Sequence, residues 1–489
     1  MFDRRPPRAA YRPVIAAIAL VGTLTAPARA DTLEEALAAA YGGNPTLTAE
    51  RANLAATSEG VAIARAGGRP NVAITAQYAE NILTDEGGGA VSFTPSRQLT
   101  GGLQLTLPLF QGGAVRNSIR AARSRVDAGR ALLRATESDV FTQVVAAYMD
   151  VIRTEAIVGL NRQQVELLRV NLEATRDRFE IGDLTRTDVA QSEARYSGAQ
   201  ADAQAAEADL ITARETYIRV VGRPPAALAP PPPLPNLPAS ADEAVGSALQ
   251  ANPDLIAAQA QRFAARSDVR VAGAERLPSL SAFSAGNYAN NFGSIDAGGL
   301  AVDQSSLSGQ IGLSATIPLY QGGRPAAQVR QAEALFGRAQ ELEIAAERAV
   351  IANTRAAFAS YRAAMRVIQS AETAVSANRL ALEGVQAENS VGNRTIIEIL
   401  NAQQELLNSE VQLVTARRNA YVAGFNLLAA MGRAEARDLG FESGALYDPE
   451  SGARRAEGWS DFDSGPLPEP RAGRTVDSPA QDAEIGPPR

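Results

Sequence analysis

The sequence TLPLFQGG, from Thr106 to Gly113, returns as TIPLYQGG from Thr316 to Gly323. The offset of 210 positions also relates Gly182 to Gly392, and upstream of the motif it shortens by only two positions. The chain therefore contains two copies of a sequence repeat of about 200 residues. A repeat of this length indicates a symmetric assembly, because each copy must bury its faces against its twin or against another subunit.

Ahead of each motif, large apolar residues alternate with small or polar ones, over Gln98–Leu107 and Leu307–Ile317. Earlier partner segments span Asn71–Ala79 and Ser279–Tyr288. A period of two predicts strands with one apolar face. At about 9 to 11 residues they have the length of tilted membrane strands, but four strands do not close a barrel without further chains. A half-buried sheet on a soluble core remains the alternative.

The motif itself predicts a junction between strand and helix. Its proline lacks a hydrogen-bond donor and should end pairing with the neighbouring strand. The two glycines that follow permit the sharp change of direction. The junction residues are Pro108, Gly112, Gly113, Pro318, Gly322 and Gly323.

A long helix is predicted after each junction. Ala114–Ile181 contains no proline, and at 1.5 Å per residue it forms a rod of roughly 100 Å. From Val140 to Phe179 a seam of residues is spaced alternately four and three apart, and it recurs 210 positions later. This is the coiled-coil period, and the alanine-rich surroundings favour a helix packed between two neighbours in a wall. A shorter helix is predicted before the strands, over Thr32–Arg65 and Ala241–Ala274.

Each rod ends in a tight turn. Gly182 and Gly392 stand where a left-handed C-terminal cap belongs. Thr185-x-x-Asp188 and Thr395-x-x-Glu398 fit capping boxes that open return helices, which end near Val221 and Met431.

Two roles remain open for Asp188 and Glu398. In the first, both acids only cap their helices. In the second, hairpin tips gathered around an axis place them in a narrow ring, which Arg394 holds shut by pairing with Asp188 of a neighbouring hairpin. Several such exposed pairs act together in a symmetric ring, although each contributes only about 0 to 1 kcal/mol.

The sequence divides into five segments. Residues 1–30 have a basic start, an apolar run and an Ala-Arg-Ala site, which is typical of a cleaved signal peptide. Residues 31–223 and 241–433 form the two repeats, and the proline-rich residues 224–240 form a stiff linker. Residues 434–489 are rich in Gly, Pro, Ser and acids, and we expect a disordered periplasmic tail.

Composition excludes several kinds of site. The chain has no His, Cys or Lys, so the usual general base, the thiol nucleophile and most transition-metal ligands are missing. A net charge of −7 with no basic stripe argues against nucleic acid. We therefore predict neither an enzyme nor a cofactor. A hydrolase that uses only carboxylates is the alternative, but no pocket-forming motif supports it.

The signal peptide, the duplication, the P-L-[FY]-Q-G-G junction and the tip sequence VGNRTIIEILN together resemble the TolC family of outer membrane efflux and secretion ducts, over residues 31–433. The resemblance implies a mainly α fold with a membrane β part: a trimeric 12-stranded β-barrel continued by a long periplasmic α-helical barrel. It implies a passive duct in contact with outer membrane lipid. The duct would dock to a periplasmic adaptor and an inner-membrane transporter of the RND or ABC type. A periplasmic coiled-coil scaffold or adaptor without a pore remains the alternative.

The resemblance also implies roles at the periplasmic entrance. Glu398 matches an entrance acid, and Asn401 stands where relatives have a second acid, so this ring should be less negative. Arg394 and Asp188 match a link between hairpins. Asn389 replaces an aromatic link partner, which implies a weaker lock. The adaptor-contacting tips would include Gly182, Asp183, Gly392 and Asn393. The cargo, whether drug, metal ion or secreted protein, stays open.

Overall fold

A computed structural model describes residues 31–82, 95–295, 301–440, 446–448, 467 and 469–470 of the chain. The predicted signal peptide and most of the predicted tail lie outside the described residues, as do residues 83–94 and 296–300 between strand partners. The helices and strands are α1 Leu33–Gly43, α2 Pro45–Ala66, β1 Asn71–Glu80, β2 Arg97–Gln111, α3 Ala114–Glu180, α4 Arg186–Val221, α5 Ala241–Ala251, α6 Pro253–Ala274, β3 Ser279–Asn290, β4 Ser305–Thr316, α7 Arg324–Ser390 and α8 Ile396–Ala430.

The first helix of each repeat is two helices, so the continuous helices predicted over Thr32–Arg65 and Ala241–Ala274 are wrong. The break falls at Asn44, whose Oδ1 accepts a hydrogen bond from Thr46 N at 2.9 Å, with Pro45 as the next residue. A proline in the first helical turn removes a donor from the preceding helix and suits the start of a new one. Asn252 repeats this arrangement in the second repeat.

The four strands form one antiparallel sheet in the order β1-β2-β3-β4. Register places Val72 beside Leu105, Leu105 beside Ser284, and Ser284 beside Ile311, so large apolar residues share one face. That face is uncovered in the single chain, since Ile311 is 87% exposed. The predicted strands and their alternation are thus confirmed.

Pro108 does not end β2, contrary to the prediction. The strand continues to Gln111, with a register shift between Pro108 and Phe110. Pairing with β1 stops at Thr106, so the last residues of β2 have a partner on one side only. Proline is tolerated at such a one-sided position. Pro318 lies beyond the end of β4, as predicted.

The two rods are present: α3 and α7 each contain 67 residues, which corresponds to roughly 100 Å. None of the helices in the described part of the chain is long and apolar enough to span a membrane. The predicted seam is buried along most of α3. In α7 the only buried seam residues among those described are Val350, Thr354, Ala371 and Val375. The second seam therefore lacks part of its cover in the single chain.

The main apolar core lies midway along α3. There Phe141 and Tyr148 are fully buried against Tyr217 of α4 and Phe425 of α8, together with α1. Leucines of the proline-rich linker pack on the same core. The linker also pairs with the start of the first repeat, where Asp31 N donates to Ala227 O at 2.9 Å. The linker is therefore held on the body of the protein.

The prediction of a disordered tail from residue 434 onward is wrong for the first residues of that segment. Ala434 and Ala436 are buried, and Glu435 pairs with Arg134 of α3 at 2.7 Å. Ala436 N donates to a carboxylate oxygen of Glu137 at 2.6 Å. These contacts fasten the segment after the second repeat to the first repeat.

We expect Gly432→Ala to destabilise the protein more than Gly222→Ala. Both glycines have positive φ, 71° and 89°, and therefore share a left-handed penalty of about 1 kcal/mol. A Cβ on Gly432 would lie 2.5 Å from Ala251 O, whereas a Cβ on Gly222 meets nothing within 4 Å. The added overlap should cost about 1 to 3 kcal/mol more, measured as thermal unfolding of the purified variants. Equal losses would show that the chain relaxes at this contact.

Removal of residues 451–489 should leave the unfolding temperature and the assembly unchanged, because the anchoring contacts lie before this point. Removal of residues 434–489 should lower the unfolding temperature, since it exposes the apolar surface under Ala434 and Ala436, removes the bond from the Ala436 amide to Glu137 and removes the acidic partner of Arg134. Thermal unfolding followed by circular dichroism compares the two truncations. Loss of assembly on removal of residues 451–489 alone would contradict the assignment of the anchoring contacts to residues before 451.

Candidate functional site at the hairpin tips

The predicted site lies at the ends of two helical hairpins, α3–α4 and α7–α8. Each tip turns on a glycine with left-handed backbone, Gly182 at φ 85° and Gly392 at φ 83°, which confirms the predicted caps. The residue before each glycine is apolar and exposed: Ile181 by 81% and Val391 by 70%. The tips therefore present apolar side chains to their surroundings.

Asp188 caps α4 as its spacing predicted. One carboxylate oxygen accepts hydrogen bonds from Thr185 Oγ1 at 2.7 Å and from Thr185 N at 2.9 Å. The Asp188 amide donates in return to Thr185 Oγ1 at 3.3 Å. The hydroxyl and then the amide of Thr185 lower the pKa of Asp188, so this carboxyl stays ionised more readily than usual.

Glu398 holds the other tip with more partners. Its carboxylate accepts from Thr395 N at 2.9 Å and from Arg394 Nη1 at 2.6 Å. The bond from the Thr395 amide, followed by that from Arg394, lowers the pKa of Glu398. Arg394 Nε also donates to Glu388 at 2.6 Å, so this guanidinium is shared by two acids of its own hairpin.

The predicted pair between Asp188 and Arg394 is absent from the ion pairs of the described chain, in which Arg394 binds Glu388 and Glu398. Asn389 likewise serves its own tip, since Nδ2 donates to Arg394 O at 2.6 Å. In the single chain these three residues stabilise separate turns. The link between Asp188 and Arg394 across neighbouring hairpins stays a prediction.

A contact that the sequence did not reveal joins the two hairpins near their tips. Arg195 Nη2 on α4 donates to Asn401 Oδ1 on α8 at 2.8 Å. Arg195 stands seven residues after Asp188, which is about two helical turns, so the two residues lie on the same face of α4. Its partner is 206 positions away and cannot be found by local spacing.

Apolar residues continue this contact away from the tips. Leu168, Ala199 and Leu400, from three helices, form a small buried cluster. Asn171 Nδ2 donates to Gln403 Oε1 at 3.2 Å beside them. The two hairpins therefore touch along several turns and are joined at the end by one exposed hydrogen bond.

The opposite end of the rods contains the predicted junctions. Gly112 and Gly113 have φ values of 59° and 83°, and Gly322 and Gly323 have 62° and 80°. Left-handed backbone at consecutive residues favours glycine strongly, which explains the repeated Gly-Gly. Gly112 is also packed tightly, since a Cβ there would lie 2.8 Å from Ala274 O.

Comparison with known proteins agrees with this geometry. The family model for outer membrane efflux proteins matches residues 36–223 and 244–433, which are the two repeats. The outer membrane efflux protein BepC of Brucella suis is 36% identical over 448 residues, covering 89% of this chain and 93% of its own length. The outer membrane protein TolC of Vibrio cholerae is 28% identical over 426 residues, covering 86% and 95%.

The fold is also found among solved structures. The outer membrane protein VceC of Vibrio cholerae superposes with a TM-score of 0.69 at 22% identity, covering 82% of this chain and 96% of its own. The duplicated strand-to-helix design is therefore that of an outer membrane channel fold that extends into the periplasm. The chain belongs to the outer membrane efflux protein family.

Proposed function

We propose that this protein is the passive exit duct of a tripartite efflux pump or type I secretion system, built from three copies of the chain. One observation carries the proposal: an open four-stranded sheet with an exposed apolar face stands on two rods of 67 residues each. Val72, Ile74 and Leu307 on that face are 60%, 80% and 83% exposed. A sheet with this face is suited to contact with lipid, and rods of this length to crossing the periplasm.

Closure of the sheet requires other copies. β1 and β4 are the outer strands, so each has a row of backbone donors and acceptors without a partner strand among the described residues. Such groups are costly in a bilayer, and closed barrels leave none of them. Pairing β1 of one copy with β4 of the next gives twelve strands from three copies, with polar side chains such as Gln104 and Gln310 facing the lumen.

The helical part supports the same assembly. The seam of α7 is covered over only part of its length in the single chain, whereas the seam of α3 is buried. A neighbouring copy packed against α7 would complete the cover. The helices of three copies would then form a continuous tube below the barrel.

At the periplasmic end, the tips would dock to an adaptor that connects the duct to an inner-membrane transporter of the RND or ABC type. The exposed Ile181 and Val391 offer apolar contacts for it. Asp188 and Glu398 would ring the entrance, and the bond between Arg195 and Asn401 would hold neighbouring hairpins together when the duct is closed. A periplasmic scaffold without a pore is the second candidate, but an exposed apolar sheet has no role in such a protein.

The purified protein should conduct ions in a planar bilayer. The variant Arg195→Ala should raise the open probability of the channel by about two- to fivefold. The substitution removes the exposed hydrogen bond between hairpins. Arg186→Ala is the matched control, since Arg186 is exposed on the same helix and forms no side-chain hydrogen bond or ion pair with α8 in the described part of the chain. Absence of conductance in all variants would reject the pore. Equal open probability of the two variants would show that Arg195 does not contribute to the gate.

The entrance should prefer cations at neutral pH and keep this preference in acidic solution, because hydrogen bonds lower the pKa of both Asp188 and Glu398 below the ordinary carboxyl values. The preference should fall only when the pH passes below these lowered pKa values and the carboxylates become neutral. The double variant Asp188→Asn with Glu398→Gln should lack the preference at every pH. Reversal potentials in a salt gradient measure it, with Asp202→Asn and Glu215→Gln on α4 as the charge-matched control. A control that loses the preference equally would show that the whole tube sets selectivity.

A further inference from the structure

Five exposed arginines lie together directly below the sheet. Arg116, Arg120 and Arg123 occupy one stripe on the first turns of α3, and Arg266 and Arg270 stand on the last turns of α6. They line two adjoining open depressions that share Arg120 and Arg123. We call these five residues the arginine belt. It joins two segments about 150 residues apart, which is why the linear sequence shows no basic stripe.

The described part of the chain does not neutralise the belt. Other arginines on the same helices have acidic partners: Arg125 binds Asp268 at 2.5 Å, and Arg262 pairs with Glu343. In contrast, none of the five belt residues forms an ion pair or a side-chain hydrogen bond in the described parts of the molecule. Five uncompensated positive charges in a chain of net charge −7 indicate an anionic ligand.

An apolar wall adjoins these charges. The first depression is lined by Leu109, Phe110, Val115 and Ile119 beside Arg116, Arg120 and Arg123. Leu109 and Phe110 are each about half exposed. Phe110 pairs in register with Leu280, which belongs to the apolar face of the sheet. The apolar wall therefore continues the surface that would contact lipid, and the positive charges begin where that surface ends.

The spacing suits a lipid headgroup. From Arg116 to Arg123 the helix rises by about 10 Å. The headgroup region of one leaflet has a similar thickness of about 5 to 8 Å. Arginine binds phosphate oxygens through two parallel N–H bonds, and its aliphatic stem can lie along apolar surface while the guanidinium reaches the polar layer.

We propose that the arginine belt binds the phosphate groups of anionic glycerophospholipids in the leaflet that meets the strand-to-helix junction. An acyl chain of the lipid lies along Leu109 and Phe110. The site fixes the depth of the protein in the membrane and holds an annulus of anionic lipid around the base of the barrel. This inference rests on the proposed function, since it requires the sheet to lie in the membrane.

The test uses the full-length protein in detergent and measures bound lipid by native mass spectrometry during titration with phosphatidylglycerol or with phosphatidylcholine. The belt variant carries Arg116→Gln, Arg120→Gln and Arg123→Gln. The control variant carries Arg355→Gln, Arg362→Gln and Arg366→Gln, three exposed arginines of α7 that make the same change of charge. Arg355 stands 31 residues into α7, about 45 Å from the junction and beyond the reach of a membrane lipid.

We expect the belt variant to bind phosphatidylglycerol about tenfold more weakly than the unmodified protein, and the control to bind it as before. Arg266→Gln with Arg270→Gln should weaken binding in the same direction. Equal phosphatidylglycerol binding by belt variant and control would overturn the proposal. So would equal preference of the unmodified protein for both lipids, or displacement of the lipid by millimolar inorganic phosphate, which would indicate a site for a soluble anion.

Conductance separates this inference from the proposed function. All of these variants should still conduct in a planar bilayer, because the substitutions leave the sheet and the tips intact. A conducting protein without lipid preference at the belt rejects the inference alone. A protein that never conducts rejects the duct, whatever lipid it binds.

Discussion

The backbone of an open sheet edge requires hydrogen-bond partners, and the rest of the architecture depends on how that requirement is met. β1 and β4 leave two such edges on a sheet whose apolar face is exposed. In water the exposed apolar face is unfavourable, and in lipid the unpaired edges are unfavourable. In the proposed assembly, pairing with further copies would leave no edge open and would let lipid cover the apolar face. The same assembly would cover the part of the α7 seam that one chain leaves exposed.

The two repeats have the same order of helices and strands but differ in how much of their surface is buried. The seam of α3 packs within the chain, and α3 runs through the main core. The matching helix α7 is exposed along much of its length. The segment that begins at Ala434 then crosses back and binds α3 through Arg134 and Glu137. The second repeat is thus fastened to the core of the first, and in the proposed assembly its exposed surface would contact a neighbouring copy.

Local chemistry was readable in the sequence, and contacts over long separations were not. The alternation in β2, the Gly-Gly turns and the Thr-x-x-Asp/Glu boxes each involve neighbours in the chain, and the structure contains all three. The break at Asn44 was missed because the apolar pattern continues across it, although Asn-Pro is itself a local signal. The bond from Arg195 to Asn401 and the anchoring of Glu435 join segments 206 and 301 positions apart. Spacing along the chain carries no information about them.

The two asparagines that divide the first helices also determine the mechanics of the hairpins. Asn44 Nδ2 donates to Val220 O at 3.0 Å, and Asn252 Nδ2 donates to Ala430 O at 3.0 Å, so each return helix is fixed at its last turn. In the proposed duct, α4 would act as a lever held at this end; its 36 residues correspond to about 54 Å. A tilt of about 10° at that pivot moves the tip by about 9 Å. In the proposed duct, a small rotation near the core would therefore be enough to widen the entrance at the tips.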